Sequence, residues 1–135
     1  MHVKLTQVGP AAFEAETGTG HTIRVDGSPE LGGTNAGMRP MEAFLVSLAG
    51  CSAMDVVHIL GRMRRRLDDL SLQVDGTRRD AVPATYEHVH LVFEAAGDIP
   101  RKDLTRAVRL SVDKYCSVAR MLTPDVKVTW EAILR

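Results

Sequence analysis

Two cysteines have the strongest claim to chemistry in this sequence: Cys51, in Ser47-Leu-Ala-Gly-Cys-Ser-Ala-Met-Asp55, and Cys116, in Lys114-Tyr-Cys-Ser-Val-Ala119. A thiolate can be a nucleophile, a metal ligand or a redox group, and its surroundings decide which. Two cysteines, 65 positions apart, are too few for the disulfide framework of a secreted domain. In a reducing compartment they are either buried packing residues or a reactive pair. Free cysteine packs as a small hydrophobe, so position alone favours packing. Helical spacing puts Phe44, Leu48, Asp55 and His58 on the stripe of Cys51. A Cys51–His58–Asp55 nucleophilic set fails on distance. Two helical turns, about 10 Å of rise, separate the thiol from the imidazole, and a general base must sit within a hydrogen bond. His88 and His90 share a strand face, but spacing supplies no third ligand, so a metal site is not expected there. A reactive Cys51 would need a cation or a hydrogen-bond donor beside it.

The elements that must hold these thiols can be read from the periodicity. Val3 to Val8, Ala12 to Glu16 and His21 to Asp26 alternate apolar and polar residues and are separated by glycine turns, which predicts a three-strand meander. Residues 27–39 form a glycine-rich loop without the lysine and hydroxyl of a phosphate-binding loop. Pro40 suits the first position of a helix and Glu42 complements its dipole, so a helix is predicted from Pro40 to about Arg66. From Met41 to Met63 it is apolar on most of its circumference. Such a helix is buried on nearly every side, more than one small subunit can cover, which predicts a partner copy. Leu70, Leu72 and Val74 mark a fourth strand and His88 to Glu94 a fifth. A second helix runs from about Asp98 to near Leu122, with Leu104, Ala107, Val108, Ser111, Val112 and Tyr115 as its apolar stripe and Cys116 towards its end. Val126, Val128 and Trp130 finish the chain as a strand. The order β-β-β-α-β-β-α-β reads as an α+β fold, not a βαβ-type parallel sheet, in a single domain over residues 1–135.

Composition removes several function classes. The chain is 44% hydrophobic and 25% charged, with 17 basic and 17 acidic residues, so no net field draws it to nucleic acid or an anionic membrane. The basic run from Arg62 to Arg66 suits a helix C-terminus and is followed at once by Asp68 and Asp69. No uninterrupted run of 18 apolar residues and no signal-peptide pattern is present, which predicts a cytoplasmic location and no membrane partner.

The stretch Arg39-Pro-Met-Glu-Ala-Phe-Leu-Val-Ser-Leu-Ala-Gly-Cys-Ser-Ala-Met-Asp-Val-Val57 resembles the proline-led cysteine helix of the OsmC/organic hydroperoxide resistance superfamily. Lys114-Tyr-Cys-Ser-Val-Ala119 resembles its second cysteine motif, in the right order and at about the right distance. The likeness covers essentially the whole chain. Within the superfamily it looks closest to the OsmC-like branch whose helix opens Pro-Met-Glu. The resemblance implies an intertwined homodimer with the two cysteine-bearing helices at its centre. It also implies reduction of organic hydroperoxides: Cys51 becomes a sulfenic acid, Cys116 condenses with it to a disulfide, and an external dithiol reduces the product. No metal or organic cofactor is implied. Where the family's peroxidases place a glutamate directly after the proline, this chain has Met41, with Glu42 one residue later and about 100° around the helix. For the arginine that family members use to hold the thiolate, this chain offers Arg24 and Arg39. Three readings follow: a thiol peroxidase for bulky apolar hydroperoxides, a binding protein for a small apolar ligand, and a structural dimer with incidental thiols.

Overall fold

A computed structural model describes residues 1–135. The chain divides into two compact units, Met1–Phe44 and Leu45–Arg135.

In the first unit, β1 (Val3–Gln7), β2 (Ala12–Thr17) and β3 (Thr22–Asp26) form an antiparallel sheet in the order β1-β2-β3. This is the expected meander. Beyond β3 the chain makes a short 3₁₀ turn, Pro29–Leu31, and returns so that Met38 bridges Val25 in parallel. Asp26, only 1% exposed, holds this return together. Its Oδ2 accepts from the N–H groups of Thr34 (3.0 Å) and Ala36 (3.0 Å) and from Thr34 Oγ1 (3.2 Å). The amide of Ala36, then that of Thr34, holds the Asp26 carboxyl below its ordinary range, because these donors favour the charged form. Gly37 is required where it stands: a Cβ there would lie 2.4 Å from the Arg24 carbonyl oxygen.

Helix α1 (Pro40–Arg62) begins as the proline predicted, with Arg39 N donating to Glu42 Oε1 at 2.9 Å, one half of a capping box. It ends four residues before the expected boundary. Arg64 adopts a left-handed φ of 58°, Arg64 N donates to the Gly61 carbonyl and Arg65 N to that of Leu60, both at 2.9 Å. These are the bonds of a Schellman stop, built on an arginine where glycine is usual. The stop was therefore hidden in the sequence.

In the second unit, β4 (Arg66–Arg78), β5 (Tyr86–Asp98) and β6 (Lys127–Leu134) form a sheet in that order. β4 and β5 are a long antiparallel pair, and β5 and β6 run parallel. The architecture is α+β as expected, and the second sheet is mixed, with β5–β6 as its one parallel pair. The helical segment after β5 carries the chain back along the sheet, so β6 enters in the same direction as β5. On β5, Val89, Leu91, Phe93 and Ala95 are fully buried on one face. α2 (Arg101–Leu110) buries Leu104, Ala107 and Val108, spaced at three and four residues.

α1 buries Leu48, Ser52, Val56 and Leu60, one residue per turn, while Val46, Met54 and Val57 are more than half exposed. By length and composition α1 would pass for a membrane span, although two fully buried leucines and a fully buried valine tie one of its faces into the core. Burying each such side chain is worth about 1.5–3 kcal/mol.

The second helix differs most from expectation. It is not continuous to Leu122. After α2 comes a π-helical turn, Ser111–Tyr115, then a break at Cys116, whose ψ of 110° is extended, and then a four-residue helix, α3 (Ser117–Arg120).

Candidate thiol site

The break in the second helix defines the site. The widened turn places Cys116 N on the Ser111 carbonyl at 2.8 Å, five residues back, and frees the Cys116 side chain to cap α3. Its Sγ accepts from Ala119 N at 3.4 Å, the role usually taken by serine or aspartate. Ser52 Oγ, one residue after Cys51 on α1, donates to the same sulfur at 3.3 Å. Both Ser52 and Cys116 are fully buried. A second buried hydroxyl, Ser111 Oγ, lies 3.2 Å from the Ser52 carbonyl and 3.2 Å from Asp55 Oδ2, donating to this face of α1. Two serines thus pin α1 to the turn that presents Cys116.

Cys51 and Cys116 are both free thiols, Cys51 half-buried and Cys116 buried. Their sulfurs and a carboxylate oxygen of Asp55 lie within 4.8 Å of one another. The two cysteines of the sequence are therefore brought together with Asp55. His58 is exposed and is not a member of this three-residue cluster. Burial pushes the Cys116 thiol above its ordinary range. The hydrogen bonds from Ser52 and Ala119 oppose that rise, and the neighbouring Cys51 adds to it. Asp55 also borders a cavity of about 620 Å³, lined with it by His58, Ile59, Arg62, Met63, Leu110 and Tyr115.

Arg24, Arg39 and Glu42 lie in the first unit, and His88 and His90 on β5 in the second. Arg24 Nη2 is 3.6 Å from Glu14 Oε2 on the neighbouring strand. Glu42 is engaged by the backbone N–H of Arg39, while Arg39 Nη1 is buried without a hydrogen-bond partner. His88 Nε2 and His90 Nδ1 both meet Thr129 Oγ1, at 2.8 and 2.7 Å, which satisfies the pair through β6. The donor roles of Ser52 and Ser111 were missed from the sequence, where Ser111 counted only as part of the stripe of the second helix. The signal for both was a hydroxyl inside a buried stripe, between Leu48 and Val56 in one case and between Val108 and Val112 in the other.

The profile of OsmC-like proteins matches residues 33–131. The chain belongs to the OsmC-like family. Protein YhfA of Escherichia coli K12 is 38% identical to this OsmC-like chain over 133 residues, covering 96% of the chain and 94% of its relative. The crystal structure of a hypothetical protein from Aquifex aeolicus matches with a TM-score of 0.84 at 34% identity, covering 99% and 96% of the two chains. An organic hydroperoxide resistance protein from Legionella pneumophila shares the fold, with a TM-score of 0.72 at 16% identity and coverage of 98% and 97%. Both cysteine motifs lie inside the matched region of the OsmC-like chain, and its α+β architecture is that of these neighbours.

Proposed function

We propose that this protein is a thiol-dependent peroxidase that reduces organic hydroperoxides. The observation that carries the reading is the approach of the Cys51 and Cys116 sulfurs to within 4.8 Å, although they stand 65 positions apart in sequence. The Cys51 thiolate attacks the O–O bond of ROOH, which releases the alcohol ROH and leaves Cys51 as a sulfenic acid. Cys116 then displaces water to form the Cys51–Cys116 disulfide, and an external dithiol reduces it, becoming oxidised in turn. Formation of an S–S bond of about 2.05 Å needs the sulfurs to close by less than about 3 Å. The apolar part of the groove, Ile59, Met63 and Leu110, suits an alkyl substituent on the peroxide. The peroxide-related names within the fold family agree with this chemistry.

A homodimer is part of the proposal. The exposed Val46, Met54 and Val57 face of α1 is the surface a second copy would cover. Arg39 or Arg24 would supply the cation for the thiolate, and Glu42 would orient it. No metal or organic cofactor takes part, and the setting is the cytoplasm. The groove also supports a second reading, a binding protein for an apolar ligand without turnover. Turnover of cumene hydroperoxide with a dithiol separates the two. The parent should consume peroxide, Cys51→Ser should not, and Arg24→Met or Arg39→Met should slow it. A parent that binds the hydroperoxide without consuming it would give the binding reading first place.

A further inference from the structure

The geometry points to a second use of the reduced thiols: Cys51, Cys116 and Asp55 form a three-donor site for a thiophilic divalent cation of the zinc class. This goes beyond the peroxidase reading and does not depend on it. The donor set is two thiols and a carboxylate whose ligand atoms lie within 4.8 Å of one another. Zinc takes sulfur at about 2.3 Å and carboxylate oxygen at about 2.0–2.2 Å, which in tetrahedral geometry separates donors by about 3.5–3.8 Å. Closing the present cluster onto an ion therefore needs inward movements of about 1 Å or less. Two sulfurs select a soft, d¹⁰ ion over magnesium or calcium, which prefer all-oxygen sites.

The surroundings are built in a way that a chance meeting of three side chains would not require. Ser52 Oγ and Ala119 N both donate to the Cys116 sulfur, and Ser111 Oγ lies within hydrogen-bond distance of Asp55 Oδ2. Partners of this kind orient ligands and typically contribute 10–100-fold to metal affinity. The donors come from α1 and from the break after α2, which the serines hold together. Three protein donors leave a fourth position for water or an external thiol, as in open zinc sites. Binding replaces the two thiol protons with the ion and changes no oxidation state. A bound cation would occupy both sulfurs, and the Cys51–Cys116 disulfide would in turn remove both donors. Metal occupancy and peroxide reactivity are thus mutually exclusive states of one site.

The test uses the full-length reduced protein under anaerobic conditions, with Cd²⁺ as an optical probe and Zn²⁺ for affinity by chelator competition. One equivalent of Cd²⁺ should produce the ultraviolet thiolate-to-cadmium band, and zinc absorption-edge spectroscopy should find two sulfurs at about 2.3 Å. Cys51→Ser and Cys116→Ser should each abolish tight binding, Asp55→Asn should weaken it by at least about tenfold, and Ser111→Ala by about tenfold. A metal shell of oxygen and nitrogen alone in the parent would overturn the proposal without recourse to any variant. So would Asp55→Asn binding as tightly as the parent, which would mean simple dithiol chelation. The peroxidase reading is judged separately, by turnover in metal-free protein kept with a chelator. Either idea can therefore fail while the other stands.

Discussion

Ser52→Ala isolates the hydrogen bond that most directly governs the second thiol. The hydroxyl donates to Cys116 Sγ at 3.3 Å, and both residues are fully buried, so no water replaces the bond once it is lost. The substitution removes only this donor, because Ser111 Oγ grips the Ser52 backbone carbonyl, which alanine retains. A hydrogen bond to a charged group is worth about 1.5–3 kcal/mol. Sulfur is a diffuse acceptor, so the low end applies, and with 1.36 kcal/mol per pKa unit the Cys116 thiol should rise by about one unit. It starts already raised by burial, so the change adds to an existing shift. The assay is thiolate absorbance against pH in a Cys51→Ser background, where Cys116 is the only thiol left. In protein that keeps Cys51, the same substitution should cut the Cys116 thiolate near neutral pH by about tenfold and slow closure of the disulfide after peroxide addition. An unchanged or lowered titration midpoint would refute the assignment of Ser52 as donor. It would also remove one of the two hydrogen bonds argued to make Cys116 usable.

Three other outcomes are expected. With one equivalent of organic peroxide, mass spectrometry should find an intramolecular Cys51–Cys116 disulfide in the parent, whereas Cys116→Ser should stop at Cys51 sulfenic acid and over-oxidise; no adduct at Cys51 in that variant would sink the peroxidase proposal. Asp26→Asn should lower the thermal midpoint at neutral pH. Because the native Asp26 carboxyl is held below its unfolded value by Ala36, Thr34 and Gly27, its contribution is complete above the unfolded value and is lost as pH falls through the native one. The gap between parent and variant should therefore shrink in acid, and a gap that widens there would contradict the sign. Met54→Glu, on the exposed apolar face of α1, should shift sedimentation from dimer towards monomer at micromolar concentration, and a parent that already sediments as a well-folded monomer would end the dimer proposal.

The sequence reveals the elements and hides their joints. Pro40 and Glu42 announce the start of α1 because their signals are local chemistry, a fixed φ and a side-chain cap. The end of α1 was misread because Arg64 occupies a left-handed position with no glycine to mark it. The core of β4 was legible in Leu70, Leu72 and Val74. Its ends were not, because their length comes from pairing with β5, a long-range property. The parallel join of β5 and β6 was invisible for the same reason. The two motifs pointed to both cysteines through the family resemblance. That they nearly touch depends on the π turn, and Ser-Val-Asp-Lys-Tyr carries no residue that demands one. Ser52 and Ser111 looked like small polar interruptions of apolar stripes, and only the packing of α1 on that turn shows them as donors.

The cap formed by Cys116 has a consequence for how any loss of activity at this position is interpreted. The residue holds two posts: a sulfur for chemistry and a hydrogen-bond acceptor that starts α3. Serine fills the second post at least as well as cysteine, whereas alanine vacates both and forfeits about 1 kcal/mol of capping. Cys116→Ser is therefore the clean chemical deletion, and Cys116→Ala a deletion compounded with a frayed helix. A difference between the two variants measures architecture, and what they share measures sulfur.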